Sequence, residues 1–141
     1  MRSGSADARD TTFTSAQSSH CSTTVLRNWL ARSTCTTLRF AIGSLGANGD
    51  FALSMLVGDL ERGYEWLTLT YLGADFIDVT RDGLAALGLT DAGVELIQDE
   101  VDVLADGRYE HRILAWPDGE FGVRFRSLRV RRETASSSDR R

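Results

Sequence analysis

The chain has 141 residues, 42% of them hydrophobic, with a single proline and a formal charge of −4; this suits one folded domain with an ordinary core and excludes a wholly disordered chain. All sixteen basic residues are arginine, and they are unevenly spread: residues 38–130 carry a balance of −8, while 1–37 and 131–141 carry +2 each. An acidic folded part lacks the positive surface that phosphate-backbone binding needs, which excludes nucleic acid as the expected partner, and no apolar run approaches the ~20 residues that span a bilayer.

Residues 1–19 are rich in Ser, Thr, Ala, Gly and Asp and lack an apolar pattern, so they are expected to form a disordered tail. They contain no apolar stretch of the secretory kind. Cys21 and Cys35 have no CxxC spacing, and free thiols in the cytoplasm are the expectation. In "TVLRNWLAR" (24–32), Val25, Leu26, Trp29 and Leu30 share one helical face, which reads as a short segment packed on the domain edge or as an arginine-flanked amphipathic anchor.

From Thr37 the pattern is β. "LRFAI" alternates, "ANGD" is a turn because Asn-Gly tolerates positive φ, and "FALSMLVGD" follows. The loop "LERGYE" leads into "WLTLTYL", rich in β-branched and aromatic residues; Tyr64 and Trp66 are expected to anchor that loop. "GADFIDV" is a short strand. "TRDGLAALGL" predicts one short helical turn around Leu84 and Leu87, capped by Thr80 or Asp82.

"VELIQDEVDVL", "YEHRILAW" and "FGVRFRSLRV" form a three-stranded meander around Asp106-Gly107 and Asp118-Gly119. If each Asp-Gly is a two-residue turn, Asp102 faces His111 and His111 faces Arg126. One face then collects Ile97, Val101, Val103, Leu114, Trp116, Phe121, Val123 and Phe125 as core. The other collects Glu100, Asp102, Tyr109, His111, Ile113, Arg124 and Arg126. Arg112 and Asp99 fall on the core face as misfits. After Ser127 the alternation slips, with Leu128 and Val130 on the polar face, which a bulge would explain.

Glu100, Asp102, His111, Arg124 and Arg126 are therefore the candidate binding residues. A histidine held by an acid and flanked by arginines suits a pH-sensitive or anion-gripping site. The same row also reads as a solvent-facing ladder of opposite charges. No serine-nucleophile motif, HExxH, P-loop or Gly-rich dinucleotide fingerprint occurs. Asp99, Glu100 and Asp102 alternate faces, too few on one side for a calcium cage, so no cofactor or metal is expected.

"GDLERGYEWLTLTYLGA" together with "ELIQDEVDVLADGRYEHRILAWPDGEFGVRFRSLRV" resembles a group of small bacterial proteins of unassigned function. The shared pattern is an acidic strand (Glu100-Val101-Asp102), an Asp-Gly turn (Asp106-Gly107), an aromatic-Glu-His-Arg strand (Tyr109, Glu110, His111, Arg112), a Gly-Glu turn (Gly119-Glu120) and a strand ending in Phe125-Arg126. Members often carry His-Asp near the domain start, where this chain has His20-Cys21. By analogy of type, similar small acidic all-β proteins neutralise bacterial toxins as immunity proteins.

The expectation is an all-β domain over residues 20–131: an antiparallel sandwich or curled sheet of about seven strands with one short helical turn, followed by a polar tail from 132 to 141. The leading function is a cytoplasmic protein-binding module that meets a basic partner with its acidic surface. The alternatives are a small-ligand binder or enzyme built on His111, Asp102 and Arg126, and an accessory domain that self-associates through a sheet edge.

Overall fold

The computed structural model describes residues 9–14, 40–59, 61, 63–116 and 119–136. The segment 24–32, both cysteines and His20 lie outside them.

The described residues are almost all antiparallel strand. Their elements are β1 (Arg9–Thr14), β2 (Phe40–Leu45), β3 (Phe51–Asp59), β4 (Gly63–Leu72), β5 (Asp75–Ile77), helix α1 (Arg81–Ala86), β6 (Val94–Val103), β7 (Tyr109–Trp116), β8 (Gly119–Phe125) and β9 (Ser127–Thr134). They pair in the single order β1-β9-β4-β3-β2-β6-β7-β8-β5. The chain is therefore all-β with one short helix, and nine strands are described where the pattern predicts about seven. Two differences lie at the ends. Arg9–Thr14, within the expected tail, pairs with β9 from Arg9↔Arg132 to Thr14↔Ser127. Edge pairing uses backbone groups, so it leaves no hydrophobic periodicity to read. β9 also runs past residue 131, and the Ala135 N–H donates to the Tyr64 carbonyl at 3.0 Å.

The strands fall into two halves that face one another. In one, Phe51 pairs with Tyr71, Leu53 with Leu69 and Met55 with Leu67, and Tyr71 and Leu69 pair in turn with Leu128 and Val130 of β9. In the other, Val101, His111 and Val123 line up across β6, β7 and β8. Rings join the halves: Phe51 meets Phe121 edge-on at 6.5 Å between centroids, and Tyr71 meets Phe125 at 5.1 Å. Such pairs add to the area burial of large rings. α1 closes the core with its one buried residue, Leu84, under an N-cap in which Thr80 Oγ1 accepts from Gly83 N at 3.1 Å.

β8 and β9 are one run of chain bent at Arg126, whose N–H donates to the Leu72 carbonyl at 3.3 Å. The alternation changes phase there as the chain passes from one half to the other. Leu128 and Val130, expected on a polar face, are buried in the first half.

Both hairpin registers differ from those counted from Asp-Gly. Val103 pairs with Tyr109, and the Leu104 N–H donates to the Arg108 carbonyl at 2.8 Å across a loop of three residues, 105–107, with Gly107 at φ +82. That loop adds one residue to the turn. The second hairpin pairs Tyr109 with Phe125 and Ala115 with Gly119, a shift of three. Both shifts are odd, so β7 alone turns over while β6 and β8 keep their facing. Tyr109, His111, Ile113 and Ala115 are buried, and Leu114 and Trp116 face solvent. Ile97 is also exposed, because a bulge interrupts the register between Leu96 and Gln98. Val103, at the strand end, is exposed too.

Gly58 is held at φ +137, and a Cβ there would lie 2.2 Å from the Gly63 carbonyl oxygen and 2.7 Å from the Tyr64 Cα. Both obstacles are backbone of the β3–β4 hairpin. Gly58→Ala is expected to lower stability by about 2 kcal/mol or more, read as a fall in the urea midpoint; an unchanged midpoint would show that the hairpin is not held this closely.

Candidate functional site

Three polar side chains meet inside the apolar core. Tyr71 projects from β4 in one half, and His111 and Asp99 project from β7 and β6 in the other. The Tyr71 hydroxyl lies 2.6 Å from His111 Nδ1, and His111 Nε2 lies 3.2 Å from Asp99 Oδ2. His111 is 1% exposed, Tyr71 is fully buried, and the Asp99 side chain is 6% exposed.

The proton positions follow from the partners. A carboxylate only accepts, so Nε2 carries the hydrogen and donates to Asp99. The Tyr71 hydroxyl then donates to Nδ1, which gives every polar atom of the chain a complementary partner. Burial pushes the Tyr71 phenol well above its ordinary range, and the Asp99 charge pushes it further. The phenol therefore stays a neutral donor.

On the outer face of the same half lies a charged lattice. Glu110 Oε1 accepts from Arg112 Nε at 2.6 Å and Oε2 from Arg124 Nε at 3.0 Å. Arg112 also lies 3.7 Å from Glu120. Burial alone would raise the Glu110 carboxyl, but the hydrogen bonds of Arg124 and Arg112 outweigh it and hold the group below the usual carboxylate range. The two arginines are thus occupied by glutamates.

The five residues singled out in the sequence do not converge. Asp102 and Arg124 lie in one outer row, Asp102–Glu110–Arg124–Asp75, and Glu100 lies in the next, opposite Arg112. His111 points the other way, into the core, and exposed Arg126 sits at the bend between β8 and β9. Asp99 and Tyr71 were not among the candidates, although Asp99 stood out as an acid on a predicted core face. Tyr71 gave no signal beyond its place in an alternating strand.

Beside the charged rows is an apolar strip. Trp116 is 59% exposed, Ile97 52% and Leu114 40%. A shallow depression of about 180 Å³ adjoins it, lined by Gln98, Asp99, Glu100, Arg112, Leu114 and Glu120 among others. Among the described residues no group of three His, Cys, Asp or Glu side chains is placed to hold a metal, and no helix is long and apolar enough to cross a membrane. No protein-family model, curated protein or solved structure matches the chain.

Tyr71→Phe strands a buried imidazole nitrogen and is expected to cost about 1–3 kcal/mol. Combined with His111→Leu in a double-mutant cycle, the two changes should couple by about 1 kcal/mol or more; additive losses in denaturant unfolding would show that the bond does not join the halves. For Glu110 the sign follows from a folded value below the unfolded one. Its stabilisation is complete above the ordinary glutamate range and is lost as pH falls through the lower folded value. Glu110→Gln should therefore cost about 1–2 kcal/mol at neutral pH, with the gap to the parent closing in acid. A gap of constant size from neutral to acid pH would contradict the charge-assisted pairing.

Proposed function

We propose that the chain is a cytoplasmic protein-binding module, of the toxin-neutralising or regulatory kind, that meets a basic protein with the outer face of β5–β8. On this reading the two facing halves serve as a β-sandwich scaffold and carry no chemistry of their own. The supporting observation is the charge of that face. Strand alternation places six carboxylates on it, Asp75, Glu95, Glu100, Asp102, Glu110 and Glu120, against two arginines, Arg112 and Arg124. Both arginines are already bonded to Glu110, so the face presents net negative charge to a partner. Such a surface speeds encounter with a basic surface and repels acidic ones.

The test is capture of partners at low salt by the full chain and by a charge-reversed form, Glu100→Arg with Glu120→Arg, followed by titration of the purified partner. The expected result is a basic protein bound by the parent, weakened by salt and by charge reversal at least tenfold. A partner whose affinity ignores both changes, or none at low salt, would overturn the reading.

A further inference from the structure

We infer that the apolar strip Ile97–Leu114–Trp116 is the anchor of this binding face, and that its occupant is a cationic amphipathic helix of the partner. The inference rests on the acidic-face reading above and adds what the partner must present.

Three large apolar side chains stand exposed side by side at one end of the face. Leu114 and Trp116 are same-face neighbours on β7, about 7 Å apart along the strand. The β6 bulge brings a third apolar side chain beside them: it inserts Ile97 as an extra residue, and both Ile97 and its neighbour Gln98 are solvent-exposed. Single exposed apolar residues are ordinary, but a contiguous group rimmed by polar residues marks an interaction surface. Tryptophan is also the side chain most enriched among interface residues that carry binding energy.

The rim identifies the occupant. Glu95 is paired with Trp116 on the β6 side, Glu100 lies one row further on, and Glu120 is paired with Leu114 on the β8 side. Carboxylates therefore flank the strip on both sides. Neighbouring strands are about 4.8 Å apart, so the two acidic borders stand roughly 10 Å from each other across β7. A helix with side chains is about 10–12 Å wide. Laid along β7, it would set an apolar stripe on Leu114 and Trp116 while basic residues on either flank reach the two borders. Arg112, the cation nearest the strip, is shared between Glu110 and Glu120, which leaves three rim carboxylates, Glu95, Glu100 and Glu120, against one shared cation.

The experiment titrates the full chain with two synthetic peptides of identical composition, one placing leucines on one helical face with lysines on its flanks, the other scrambled. The amphipathic peptide is expected to bind at least tenfold more tightly than the scrambled one. Trp116→Ser with Leu114→Ser should remove that advantage; both residues are exposed, and far-ultraviolet circular dichroism checks that the variant folds, with Ile97→Ser as a second, milder probe. Equal binding of the two peptides, or an advantage that survives both variants, would overturn the inference. If both peptides bind alike and both are lost on Glu100→Arg with Glu120→Arg, the acidic-face reading stands and the anchor falls. If neither peptide binds, the anchor falls and the partner capture above decides the acidic face alone. A dimer in sedimentation that Trp116→Ser dissolves would assign the strip to a second copy of the chain and also overturn the inference.

Discussion

The fold turns on a short hydrogen-bond chain, Tyr71 to His111 to Asp99, that crosses from one half of the sheet to the other. The ring contacts between the halves are apolar and tolerant of small displacements. A buried polar group is not: left unpaired it costs the desolvation of that group, about 1–3 kcal/mol. Three groups must therefore arrive together, from β4, β7 and β6. If β7 slipped by one residue, the imidazole would leave the core and Tyr71 would lose its acceptor. The chain contributes modest net stability but penalises wrong registers heavily. The aromatic rings around it, Phe51, Phe121, Phe125 and Tyr109, then pack on a frame whose facing is already settled.

Much of the fold is legible in the residues themselves. The strand over Phe51–Asp59, the Trp66–Leu72 part of β4, the Asn48-Gly49 turn and the Thr80-capped helix follow local rules, whereas β4 begins at Gly63, inside the stretch read as a loop, and β6 carries a bulge at Ile97. Facing did not follow, because it depends on loop length, and loop length at Asp106-Gly107 is ambiguous by one residue. A two-residue turn and a three-residue loop ending in glycine share the same Asp-Gly signature. That single residue decides whether His111 is a surface group or a core group. The slip at Ser127 was visible as a break in alternation, but its cause was not. A bulge within one sheet and a bend between two halves look the same in sequence, and only the pairing of β9 with β4 distinguishes them.

The site was legible in its misfits more than in its pattern. Asp99 stood on a predicted core face with no reason to be there, and it is the residue that holds His111. Arg112 stood there too, and it has turned outward to Glu110. One lies on β6, which kept its facing, and the other on β7, which reversed. Periodicity weighs all residues alike, whereas the cost of burial does not. An unexplained charge on an apolar face is therefore the better place to question a register.

The register of β7 can be argued from that cost. One facing buries Tyr109, His111, Ile113 and Ala115; the other buries Glu110, Arg112, Leu114 and Trp116. Each facing hides large apolar side chains, Tyr109 and Ile113 in one and Leu114 and Trp116 in the other, at roughly 2–3 kcal/mol for each, so apolar burial alone does not choose between them. The second facing would bury Arg112, whose side chain is 41% exposed here, and turn Glu110 into the apolar core beside it, at an effective cost of several kcal/mol for each ion placed there. The first facing gives the imidazole Tyr71 and Asp99 as partners and leaves Glu110 between the Arg112 and Arg124 guanidiniums on the outer side. The charges win, and the apolar side chains on the losing face are left in water. Exposure of Leu114 and Trp116 is thus the direct consequence of burying His111, because alternation forbids hiding both sets. The hydrogen-bond chain inside the sheet and the apolar strip outside it are two faces of one strand, and selection on either constrains the other.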